Sequence, residues 1–170
     1  MVWKNTQRGV GDMRKKIFFI LVLGVMVSGC GKPAPEKAEK AEVTQAGAQE
    51  VFDQGMMFLQ QGNAAAAIHS FDEAIKRNPL DPRAYLILGQ TYMRMQEYNR
   101  AIDTYTAALR AAPDQGEIYY LLAVNHGLAG NTEEAKVNAE RSALLFQKSK
   151  DAENFKKALV LIQGLAQSEE

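Results

Sequence analysis

Few side chains in this sequence stand where they could do covalent or metal chemistry, and the foremost is Cys30, the only cysteine. With one thiol no intramolecular disulfide can form, so a disulfide framework is excluded. A thiolate can instead take up an alkyl group through a thioether. Val27, Ser28 and Gly29 precede Cys30, the last two with small side chains. His69 and His126 lie 57 positions apart, without the cysteine or further histidine at close spacing that a metal site needs. His69 reads as a solvent-facing helix residue and His126 as the occupant of a core aromatic position. Glu133 and Glu134 fall in the first turn of an expected helix, where carboxylates complement the helix dipole. Gly-rich phosphate loops, nucleophile elbows and zinc-protease motifs are missing. The sequence therefore predicts no catalysis, no cofactor and no metal.

Cys30 ends a segment of three parts. Arg14, Lys15 and Lys16 form a positive patch, and Ile17 to Val27 follow as eleven residues without a charge. Spanning a bilayer takes about 20 apolar residues, so the run is too short for a stable membrane helix and suits the core of a secretion signal. Met13 would open a signal of normal proportions, leaving residues 1–12 as an over-early start. The tetrad Val27-Ser28-Gly29-Cys30 resembles a bacterial lipobox. That resemblance implies removal of residues 1–29, lipidation of Cys30 and a membrane anchor made of two or three acyl chains. Each buried methylene contributes about 0.8 kcal/mol, and two or more chains attach lastingly where one does not. Gly31 rather than aspartate after Cys30 implies, by the same resemblance, the periplasmic face of the outer membrane. Five basic residues against Asp12 give residues 1–29 a net charge of +4 in a neutral chain, leaving −4 from Cys30 onward. That balance argues against nucleic acid, which is bound chiefly by basic groups.

Residues 30–47 read as the lipidated cysteine and a flexible tether. Pro33 and Pro35 oppose a helix there, and the Glu-Lys-Ala stretch from Glu36 to Glu42 has no large apolar residue to bury. A solvated helix is the other reading, because Ala, Glu and Lys favour helices. At most ~3.5 Å per residue, such a tether reaches roughly 60 Å.

Beyond it the chain repeats itself every 34 positions: Gly55, Gly89 and Ala123; Ala67, Ala101 and Ala135; Phe71 and Tyr105; Pro79 and Pro113. A constant period means one supersecondary unit stacked on copies of itself. The stretch from Ala48 to Gln147 closely resembles the tetratricopeptide repeat family, with units at 48–81, 82–115 and 116–147. The resemblance implies an all-α solenoid of three helix-turn-helix repeats. Helix A of the first repeat is expected from Ala48 to Gln61 and helix B from Ala64 to Arg77, stopped by Pro79. Gly55 is placed where the two helices approach closely. The third repeat drifts, with His126, Ala139, Ser142 and Gln147 at the places of tyrosine, a large aromatic, alanine and proline. Residues 148–170 carry a last helix, near Lys150 to Ala166, with Phe155, Leu159 and Ile162 as its apolar stripe, widened by Ala158, Leu161 and Leu165. It reads as the cap that a solenoid needs, or else as a dimerisation helix.

By the same resemblance, a concave groove is lined by Phe52, Met56, Leu59 and Gln60, then Leu86, Gln90, Met93 and Arg94, then Tyr120, Val124 and Leu128. This makes a second apolar stripe on helices that already have one. Contiguous exposed apolar surface implies a partner, unless the tether, the cap or a second copy of the chain covers it. Family members that grip a terminal carboxylate use lysine and asparagine where this chain has Phe52, Met56 and Arg83. An amphipathic helix or an extended apolar segment therefore suits the groove better. The expectation is an anchored scaffold that binds a protein segment. Narrower versions are a pilotin-type assembly factor for a secretin or pilus system and an adaptor of peptidoglycan hydrolases.

Overall fold

The computed structural model describes residues 35–167, with side chains from Gln45 onward. The positive patch, the apolar run, Cys30 and the first residues of the expected tether lie outside them. The described residues form seven helices and no strand: α1 Pro35–Gln60, α2 Ala64–Arg77, α3 Pro82–Arg94, α4 Tyr98–Ala108, α5 Gly116–Leu128, α6 Thr132–Lys148 and α7 Ala152–Gln167. Each helix packs on the next, and α7 also touches α5. The fold is an all-α solenoid.

The expected tether needs correcting. Residues 35–47 are helical and continuous with helix A of the first repeat, so α1 begins at Pro35 rather than Ala48. Pro35 is the first helical residue, where no amide donor is required and its fixed φ suits the turn. The Glu-Lys-Ala residues after it have high intrinsic helicity. Where α1 passes the end of α2, the Arg77 guanidinium donates to the Gly47 carbonyl at 3.1 Å.

The turns inside the repeats share one construction. Gly62, Gln96 and Gly130 follow α1, α3 and α5, 34 positions apart, and all three have positive φ (73°, 61° and 83°). Their amides return to Leu59, Met93 and Gly127 carbonyls, and the next amides reach Phe58, Tyr92 and His126. This pair of bonds satisfies helix-end carbonyls in the Schellman pattern, which needs a left-handed residue. Asn63 then caps α2, its Oδ1 accepting the Ala66 amide at 3.1 Å. The second B helix ends early. α4 stops at Ala108, and bonds from Arg110 to Ala107 and from Ala111 to Ala108 tighten the chain before Pro113.

Within each repeat a small residue on helix A meets a ring on helix B. A Cβ added at Gly55 would lie 2.7 Å from the Phe71 ring, and one at Gly89 would lie 2.5 Å from Tyr105. Both rings are fully buried. In the third repeat Ala139 replaces the ring, and Ala123 takes the glycine position; both are fully buried. His126 does not fill a core position: it is half-buried, its Nδ1 3.4 Å from Asn131 Nδ2, because the imidazole keeps a polar edge outward. The sealed residue is Asn125, whose Nδ2 donates to the Leu121 carbonyl at 2.8 Å.

The C-terminal helix packs through Phe155, Ala158 and Ile162 against Ala143 and Phe146 of α6. Leu159 leaves the expected stripe and is 46% exposed. The small Ala158, on the wider part of the expected stripe, marks the line of closest approach, and Leu159 is rotated one position past it.

Candidate functional site

α1 and α3 border a shallow cavity of about 270 Å³ lined by Met56, Leu59, Gln60, Ile87, Gln90, Thr91 and Arg94. It brings together Met56, Leu59, Gln60, Gln90 and Arg94 from the expected groove set. Ile87 and Thr91 are additions. On α3 the lining follows Ile87, Gln90, Thr91 and Arg94, an i, i+3, i+4, i+7 series. Leu86 and Met93, expected beside Gln90, are half-buried against the core, as Met56, Leu59 and Ile87 are, and lie outside this cavity. The cavity's series runs one residue over from Leu86, and the equally apolar Leu86 and Ile87 conceal that choice in the sequence.

Phe52 stands outside this cavity. Its ring lies 5.6 Å from that of Phe71, and the Arg83 guanidinium sits 5.3 Å above it. It lines a second, polar cavity of about 320 Å³ with Gln45, Gln49, Asn78, Asp81 and Arg83. Arg83 is engaged there through Nε and Nη2. Its Nε lies 2.9 and 3.0 Å from the two Asp81 carboxylate oxygens, and Nη2 donates to Gln49 Oε1 at 2.8 Å. The Arg83 hydrogen bond holds the Asp81 carboxyl below its ordinary pKa against the opposing effect of burial.

The third-repeat residues divide. Tyr120 packs on the cluster formed by α6 and α7, and Gly127 faces the Leu165 side chain of α7. The C-terminal helix therefore covers part of the expected groove. Val124 is half-buried, and Leu128 is 53% exposed.

The α1–α3 cavity has an apolar floor of Met56, Leu59 and Ile87 and a rim of Gln60, Gln90 and Arg94. Thr91 contributes no free donor, since its hydroxyl donates to the Ile87 carbonyl at 2.8 Å. Among the described residues no three His, Cys, Asp or Glu side chains converge as a metal site would require. The arrangement can desolvate an apolar side chain and hydrogen-bond polar groups beside it; nothing in it activates a nucleophile.

The tetratricopeptide repeat family model matches residues 52–116 and 88–152, more than half of the chain. The chain belongs to the tetratricopeptide repeat family. A curated relative, the BBSome complex member BBS4 of Bos taurus, is 33% identical over 107 residues. The match covers 63% of this chain but only 20% of that protein. Among solved structures, a T3SS complex from Aeromonas hydrophila superposes with a TM-score of 0.69 at 17% identity, over 78% of this chain and 89% of the other. PcrH of Pseudomonas aeruginosa, solved with the chaperone binding region of PopD, gives 0.65 at 15% identity, over 83% of this chain and all of that one. At such identities the likeness is one of fold.

Proposed function

We propose that this protein is a lipid-anchored adaptor that holds a segment of another protein between α1 and α3, at the periplasmic face of the outer membrane. The observation that carries the binding half is the cavity itself: Met56, Leu59 and Ile87 form an apolar floor open to solvent, framed by two amides and a guanidinium. A floor of flexible methionine and branched side chains adapts to varied apolar shapes, and helix-in-groove or extended-segment docking fits its form. PcrH, which shares the fold, was solved with a segment of PopD, a precedent for segment binding on this scaffold. The role is that of a binding module, not an enzyme. The membrane half rests on the sequence from Arg14 to Cys30.

Two substitutions test the halves separately. Met56→Glu places a carboxylate on the floor, where an unpaired charge is costly to desolvate. It is expected to reduce recovery of crosslinked partners from native envelopes by about tenfold or more, with helicity unchanged by circular dichroism. Undiminished recovery would overturn the groove assignment. Cys30→Ser is expected to move the protein from the membrane to the soluble fraction, and continued membrane retention would overturn the anchor.

A further inference from the structure

Resting on the groove reading, we propose that the segment bound between α1 and α3 is acidic as well as apolar. It would set an apolar side chain on the Met56–Leu59–Ile87 floor and a neighbouring aspartate or glutamate against Arg94. Charge decides this. Of the seven residues lining the cavity, Arg94 alone is ionised, and none is acidic. The other polar groups with free hydrogen-bonding capacity are the amides of Gln60 and Gln90, which can donate to a carboxylate while Arg94 supplies the charge.

Arg94 is available for that contact. It is exposed and has no ion pair among the described residues. Three other arginines are engaged, Arg77 with Glu73, Arg83 with Asp81 and Arg100 with Glu97, and Arg94 is the one that lines this cavity. A cation in the last turn of a helix can also serve the helix dipole, and Arg94 is the final residue of α3. That role does not explain its presence, because the equivalent final residues of α1 and α5, 34 positions away on either side, are Gln60 and Leu128. The architecture closes those helices without a charge. Gln60 shares the rim of the apolar floor with Arg94, so the pair sets an amide and a cation on the same cavity.

The test uses the full chain in detergent micelles and libraries of random peptides, one amidated and one with free C-termini. Peptides selected on the wild type are expected to pair Leu, Ile, Phe or Met with Asp or Glu within one helical turn. Exchanging that acid for its amide is expected to weaken binding about three- to fivefold, as for a partly exposed ion pair. Arg94→Gln is expected to abolish this difference without changing helicity. Selected peptides with no acidic preference, or an acid-to-amide effect that persists in Arg94→Gln, would overturn the assignment. So would selection only of free C-termini, which would give Arg94 to a chain end. Binding that survives Met56→Glu, or no peptide selected at all, would instead overturn the groove reading beneath it.

Discussion

Gln96 occupies a position that the repeat fills with glycine on either side. Gly62 and Gly130 take left-handed backbone at the same point of the turn, and Gln96 does so with a side chain, at φ 61°. A Cβ in that conformation costs on the order of 1 kcal/mol. Glycine removes the strain but also enlarges the entropy of the unfolded chain, so part of the gain is offset. Gln96→Gly is expected to raise the unfolding free energy by up to about 1 kcal/mol, read from the urea midpoint; a lowered midpoint would show that the Gln96 side chain stabilises the turn. Gly89 is a different case, since it faces the Tyr105 ring that any added side chain would strike. Contact of this second kind is what the residue pattern conveys best. Glycine inside a helix is destabilising relative to alanine, so its return at a fixed period marks a place where another group needs the room. Gly55 and Gly89 are legible as close-approach positions on that ground, and the rings of Phe71 and Tyr105 lie on them.

The helices carry the clearest contrast between what is legible in the sequence and what is not. Helix-turn-helix order follows directly from the 34-residue period, since strands cannot satisfy a stripe at i, i+4 and i+7. The start of α1 does not. Glu36 to Glu42 contain no large apolar residue, so periodicity is silent there, and Pro35 has the character of a breaker although the first turn tolerates it. At the other end, bulk favours Leu159 over Ala158, whereas the packing line runs through the smaller residue. The groove has the same ambiguity on α3, where Leu86 and Ile87 are equally apolar and only the helix rotation chooses between them. α7 supplies a test at this level. It shields Phe146, Ala143 and Tyr120, and solenoids depend on their terminal helices. Ending the chain at Ser149 is expected to cost about 3–5 kcal/mol, from the cluster of apolar side chains then opened to water. An unchanged urea midpoint would mean that α7 does not act as a cap.

For the molecule as a whole, the solenoid leaves different surfaces for different tasks. Phe52 and Arg83 line a separate polar cavity, and α7 covers Tyr120, so five of the expected groove residues stay together and the expected groove contracts to the cleft between α1 and α3. That contraction sharpens the functional reading: a partner would be held by one apolar floor rather than along the full stack. A photo-crosslinking amino acid placed at Gln90, inside that cleft, and at Asp103, exposed on α4, tests this in living cells of the native host. A discrete adduct is expected from position 90, absent from position 103 and lost when Met56→Glu is added. Equal labelling from both positions, or labelling at position 90 that ignores Met56→Glu, would contradict binding in the α1–α3 cleft.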